Sequence, residues 1–158
     1  MLRRISEVAA SWQEAGAVFD DLRDTLHEFR RTHGFGRGIS AVQIGAPKRL
    51  IYLEYEGREW RLRNPRYEYL SEEKMTLWDD CFSFPNLMAR VERSAEARIL
   101  YDGESGSVER LTAAGALSEL LQHEMDHLDG ILAVDRAMDK DSLCTRQEFL
   151  RQKGLAGA

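Results

Sequence analysis

The segment Gln122-His123-Glu124-Met125-Asp126-His127-Leu128 sets two imidazoles four positions apart, with a carboxylate directly after the first. On an α-helix, positions i and i+4 share a face, so His123 and His127 can reach one metal ion together. Glu124 then stands beside the open coordination position of that ion. This is the arrangement needed to ionise a bound water and carry its proton. The chain has only four histidines, at 27, 33, 123 and 127, so this frame is a poor fit to chance. His27 and His33 read as solvated helix-end residues without a role.

Two imidazoles need a third ligand. No histidine follows position 127, so the longer pattern with a third downstream histidine is absent. Glu148 would supply the carboxylate of a thermolysin-like site, but it lies in the charged run Arg146-Gln147-Glu148, which reads better as a solvated face. Cys81 is the stronger candidate, in Trp78-Asp79-Asp80-Cys81-Phe82-Ser83-Phe84-Pro85, whose apolar flanks suit packing near a core. A thiolate with two imidazoles leaves a tetrahedral ion one free corner, as catalysis requires. Cys144, preceded by Leu143, reads as packing a helix face.

The elements that must position these groups follow from periodicity. Val18, Phe19, Leu22, Leu26 and Phe29 recur at helical spacing and predict an amphipathic helix from about Ala17 to Arg31, ended by His33-Gly34. Met1–Gly16 also reads as helical. A Gly-rich loop, Gly34 to Gly38, precedes a strand at Arg49–Glu54, a turn at Glu56-Gly57 and a second strand at Trp60–Arg63. Short strands are expected near Met75–Trp78, Met88–Glu92, Arg98–Tyr101 and Val108–Leu111. Thr112 is a candidate cap for a helix from about Ala113 to Leu128 that carries the histidines, stopped by Asp129-Gly130. A last helix is expected over Asp141–Gln152. The fold class is α+β, with short, mostly antiparallel strands around a central metal-bearing helix.

The 158 residues fit one domain, residues 1–158, with 43% hydrophobic and 31% charged residues. The net charge of −5 and the lack of a basic run argue against nucleic acid as a partner. No apolar leader or membrane-length segment is seen, so the cytoplasm is the expected compartment and no membrane binding is expected. Two cysteines make no disulfide framework.

With these motifs in order, the sequence resembles the peptide deformylases, metalloenzymes that remove the formyl group from the N-terminal methionine of nascent proteins. The family pattern G-x-G-x-A-A-x-Q is matched by Gly36-Arg37-Gly38-Ile39-Ser40-Ala41-Val42-Gln43. E-G-C-L-S is matched by Asp79-Asp80-Cys81-Phe82-Ser83, and Q-H-E-x-D-H-L-x-G by Gln122 through Gly130. Arg93 and Leu62-Arg63-Asn64-Pro65 also resemble family features, and the likeness covers roughly residues 17 to 136.

The resemblance implies that Cys81, His123 and His127 bind a divalent metal, usually Fe2+, with Zn2+ or Ni2+ as substitutes. Thiolate and imidazole suit each of these ions. It implies Glu124 as general base and then acid, with the Gln43 side chain and the backbone N–H of Phe82 as donors to the developing oxyanion. Such donors commonly contribute a factor of ~10²–10³ each. Gly38 would let an extended peptide approach the main chain closely. The implied partner is an N-formylated peptide or a small formamide substrate. A nascent-chain substrate also points to transient ribosome association, although residues 139–158 form no basic tail.

Several positions depart from the family pattern where substrate should lie. Asp79-Asp80 replaces Glu-Gly, Arg37 stands between the motif glycines, Ser40 replaces the first alanine, and Phe82 replaces leucine. Glu119, one turn before His123, takes a usually apolar place in the methionine pocket. Drift at exposed positions is one reading. The other is that Arg37 and Glu119 make the pocket polar and redirect the enzyme to a different N-formyl substrate, in which case the buried charges must pair together or with a ligand. The remaining rivals are a thermolysin-like peptidase using Glu148 and a non-catalytic metal-binding relative.

Overall fold

The computed structural model describes residues 1–155. The last three residues of the expected 1–158 domain lie outside that range. The first helix, α1, runs Trp12–His33 and so begins before Ala17. Ser11 and Glu14 explain the difference. The Ser11 hydroxyl accepts from the Glu14 N–H at 3.1 Å, and the Glu14 carboxylate accepts from the Ala10 N–H at 2.8 Å. The first bond satisfies an orphan donor of the first turn, and the second ties the residue before the cap to it. Gly34, at φ 77°, ends the helix by donating to the Arg30 carbonyl.

Residues ahead of Ser11 are not helical, contrary to the expectation for Met1–Gly16. They run as a strap whose backbone partners are distant in sequence. Ser6 N–H donates to the Leu128 carbonyl, Glu7 N–H to Pro47, and Ala9 N–H to the Asn64 side chain, each at 2.8 Å.

Two sheets follow, and every pairing between their strands is antiparallel. The larger has the order β1 (Gly38–Ser40), β2 (Leu50–Tyr55), β3 (Arg58–Leu70), β6 (Glu96–Asp102), β7 (Val108–Ala114). The smaller has the order β4 (Lys74–Cys81), β5 (Phe84–Ser94), β8 (Leu143–Thr145). The β2–β3 hairpin closes on Glu56 and Gly57, both with positive φ, the geometry whose twist matches its strands. β3 is far longer than Trp60–Arg63. It tolerates Pro65 because the register shifts between Arg63 and Arg66, where the proline removes no ladder bond.

The histidine helix, α2, spans Gly115–Leu128. It starts after Ala114 and not at Thr112, because β7 carries its pairing with β6 through to Ala114. Leu120, Leu121, Met125 and Leu128 pack on Ile51, Leu53, Leu62, Ile99 and Leu111 of the large sheet. On the other side of that sheet, α1 buries Phe19, Leu22 and Leu26 against Ile39, Leu50 and Tyr52. The last helix, α3, is Arg146–Gln152. Its expected first turns are instead a loop and β8, which pairs with β5, and Thr145 caps it by accepting from Glu148 N–H at 3.2 Å. Cys144 therefore lies in a strand and not on a helix face. The expected α+β architecture is the one found, with α2 in contact with both sheets. Among the described residues, no helix is long and apolar enough to cross a membrane.

Candidate active site

α2 sets His123 and His127 on one face, with their Nε2 atoms 3.1 Å apart. The third donor arrives on the small sheet. The β4–β5 hairpin turns over Phe82-Ser83, so Cys81 ends β4 and its sulfur lies 3.3 Å from His127 Nε2. All three residues are buried, and their donor atoms lie within 4.8 Å of one another. The Nε2 of His127 faces both other donors, yet an imidazole nitrogen has one in-plane valence and cannot serve both. His127 Nδ1 is buried without a hydrogen-bond partner among the described residues. A soft donor set that overcrowds one point fits a cation better than it fits a hydrogen-bond network. When bound there, a divalent ion supplies Lewis acidity and lowers the pKa of a coordinated water toward neutrality.

The two imidazole rings are set by their surroundings. Burial and the neighbouring His123 push His127 down to about 3, which leaves it neutral with a lone pair to offer. Burial alone would also depress His123, but Asp79 and Cys81 reverse that and hold it well above the ordinary imidazole value. Asp79 Oδ1 lies 2.8 Å from His123 Nδ1, in an ion-pair contact. The carboxylate-to-histidine contact orients a ligand and raises its basicity. Behind it runs a buried charge chain. Arg93 donates to Asp79 at 2.9 Å and to Asp126 at 2.5 Å, and Arg136 donates to Asp126 at 2.7 and 3.1 Å. Burial would raise Asp79, yet His123 and Arg93 together hold it below the usual carboxylate range. The type of residue 79 was legible in the sequence as a retained carboxylate, but its role was not.

Glu124 is 2% exposed, and burial lifts its carboxyl to about 7 against the opposing pull of His123 and Ser40. The Ser40 hydroxyl donates to Glu124 Oε2 at 2.5 Å. A carboxyl poised near neutrality beside a set of residues that could hold a metal suits proton transfer. Gly38 is tied to the same group. A Cβ there would meet Leu53 at 2.7 Å and Glu124 Oε1 and Leu120 at 3.0 Å, so the close approach is to the protein itself. β1 is an edge strand, paired with β2 on one side only, the kind of edge that an extended chain can join.

Gln43 lies in a short 3₁₀ helix, Ala41–Ile44, right after β1. Its Oε1 accepts from the Ser40 N–H at 2.8 Å, which fixes the amide orientation. Its Nε2 donates to Ser83 Oγ at 3.1 Å, bringing it to the Cys81 hairpin with a second N–H to spare. Phe82 follows Cys81 at that tip, its ring 4.1 Å from Phe29 by centroids.

A cleft of about 440 Å³ opens beside His123 and Glu124. Arg37, Gly38, Asp80, Phe82 and Glu119 all line it. The charges are paired: Arg37 donates to Glu119 at 2.9 Å, and Arg146 donates to Asp80 at 2.7 Å. The Arg146 guanidinium also lies over the Phe35 ring at 3.9 Å. Arg146 had no sequence signal, since its partner is distant along the chain. Glu148 instead binds Arg151 and Gln152 on α3. His27 is exposed, as expected, but lies within α1 and not at its end, 2.5 Å from Glu54.

A family model described as polypeptide deformylase matches residues 1–142. A peptide deformylase from Rhizobium meliloti is 37% identical over 121 residues, 73% of this chain and 67% of its own length. Among solved structures, a peptide deformylase from Synechococcus elongatus in complex with actinonin aligns with a TM-score of 0.75 and 31% identity. That alignment covers 99% of this chain and 82% of the other. The enzyme from Thermus thermophilus aligns at 0.79 and 31%, covering 97% and 87%.

Proposed function

The chain belongs to the polypeptide deformylase family, and from that premise we propose how its residues divide the work of a metal-dependent deformylase. The enzyme hydrolyses an N-formyl group, most simply that of N-terminal formyl-methionine, and releases formate and a free amine. Cys81, His123 and His127 hold the divalent metal, with Fe2+ the native ion and Zn2+ or Ni2+ as substitutes. Glu124 takes the proton of the attacking water and returns it to the amine nitrogen as the C–N bond breaks. The spare N–H of Gln43 and the backbone N–H of Phe82 stabilise the charge that gathers on the formyl oxygen. The peptide lies along the open edge of β1 beside Gly38, and its first side chain enters the cleft of Arg37, Asp80 and Glu119.

Residues 1–158 act as one such unit. A nascent-peptide substrate places the activity in the cytoplasm, with only transient contact with the ribosome. The observation that carries this reading is the convergence of one sulfur and two imidazole nitrogens beside a buried carboxyl whose pKa is about 7.

Formate release from a formyl-Met peptide by metal-loaded protein tests it. Glu124→Ala should abolish release while metal content is unchanged. Equal release by wild type and variant, or no release by either, would refute it.

A further inference from the structure

The cleft beside Glu124 is where the residue carrying the formyl group must lie, and its walls are not those of an apolar pocket. Phe82 and Leu120 supply apolar surface, but Arg37 and Glu119 meet across the cleft at 2.9 Å. The two members differ in freedom. The Glu119 side chain is 8% exposed and that of Arg37 is 41% exposed, so the carboxylate is fixed in the wall and the guanidinium reaches solvent. The Arg37–Glu119 contact uses one N–H of the guanidinium and one oxygen of the carboxylate, so that contact leaves further donors on Arg37 and one acceptor oxygen on Glu119.

Three kinds of side chain can be weighed against that wall. An apolar one strips water from the pair and returns no hydrogen bond. A charged one satisfies one partner and leaves the other unpaired in a half-buried cleft. A neutral side chain with a donor and an acceptor, such as a carboxamide, can accept from Arg37 and donate to Glu119 with the pair intact.

We propose that Arg37 and Glu119 make this cleft selective for an N-formylated residue with a neutral, hydrogen-bonding side chain of the carboxamide type over one with an apolar side chain. The inference rests on the deformylase reading of the site and revises its substrate from formyl-methionine, which it makes the poorer one, to a class that the lining fits better. Methionine and glutamine are similar in length, so their comparison isolates polarity.

Two measurements test it. The first is kcat/KM for formyl-Gln-Ala and formyl-Met-Ala with wild type and with the double variant Arg37→Leu, Glu119→Leu. The second is the dissociation constant of N-acetyl-Gln-Ala and N-acetyl-Met-Ala, measured by calorimetry on the same two proteins. Wild type should favour glutamine by about ten- to a hundredfold in both, the scale of a buried polar group left unpaired. The double variant should lose or invert that preference. Should the pair of leucines compromise folding, Glu119→Gln alone should reduce the preference. A wild-type preference for methionine in both measurements would overturn the proposal and leave the deformylase function standing. A glutamine preference in binding, with neither formyl peptide hydrolysed, would support the pocket and refute the function.

Discussion

The two sides of helix α2 are equally buried and are held by opposite means. Every residue from Ser118 to Leu128 is buried. On one side Leu121, Met125 and Leu128 need only apolar neighbours, which the large sheet supplies without regard to direction. On the other, the polar side chains are held by named partners, with His127 Nδ1 left over. Gln122 bonds both backbone groups of Ser94, at 3.0 and 2.9 Å. Asp126 meets Arg93 and Arg136, His123 meets Asp79, Glu119 meets Arg37, and Glu124 meets Ser40. The lesson is that the apolar side asks for volume while the polar side asks for particular atoms. The two sides should therefore respond differently to conservative substitution, and the chemistry belongs to the side where substitution is least tolerated.

The largest effect is expected where a polar partner also does chemistry. Glu124→Gln keeps size but removes the base, and formate release should fall by ~10²–10⁴ with metal content retained. A smaller fall would mean that the proton is handled elsewhere. Next comes Arg93→Leu, which leaves Asp79 and Asp126 buried without their shared cation. It should cost about 3–5 kcal/mol in urea unfolding. On the apolar side, Leu121→Ala should cost about 2–5 kcal/mol through the cavity it opens. Leu121→Met should cost less than about 1.5 kcal/mol. If Arg93→Lys proved as mild as Leu121→Met, the contrast between directional and non-directional packing would fail, because lysine keeps charge but not the planar fork.

The smallest effect lies outside α2, at Glu54. Burial would raise its carboxyl, but Arg30, His27 and Tyr52 bring it down to about 2 from an ordinary 4.5. A folded-state pKa below the unfolded one gives stability that is complete above 4.5 and drains away as pH falls toward about 2. Glu54→Gln should flatten the loss of thermal stability across that acid range and change little at neutral pH.

The same contrast explains what could be read from the chain alone. The His123–His127 pairing follows from helix period, and the core of α1 from the spacing of Phe19, Leu22, Leu26 and Phe29, because both are local repeats. The hairpin over Glu56-Gly57 was legible from its turn residues. Long-range partners leave no such trace. Residues 6–9 run as a strap because Leu128, Pro47 and Asn64 receive their N–H groups. β8 exists because β5 has an edge to fill. Arg146 reaches Asp80, in the cleft wall, only through the placement of α3. The early start of α1 was written in Ser11 and Glu14, a local signal that the apolar repeat overshadowed.

The claim that Cys81 shares one cation with the two histidines is tested most directly by substituting cobalt(II) into metal-free protein and recording its near-ultraviolet spectrum. A sulfur-to-cobalt charge-transfer band is expected at one equivalent in wild type, lost in Cys81→Ser and kept in Glu148→Gln. A band that survives Cys81→Ser, or cobalt that binds without any such band, would contradict it.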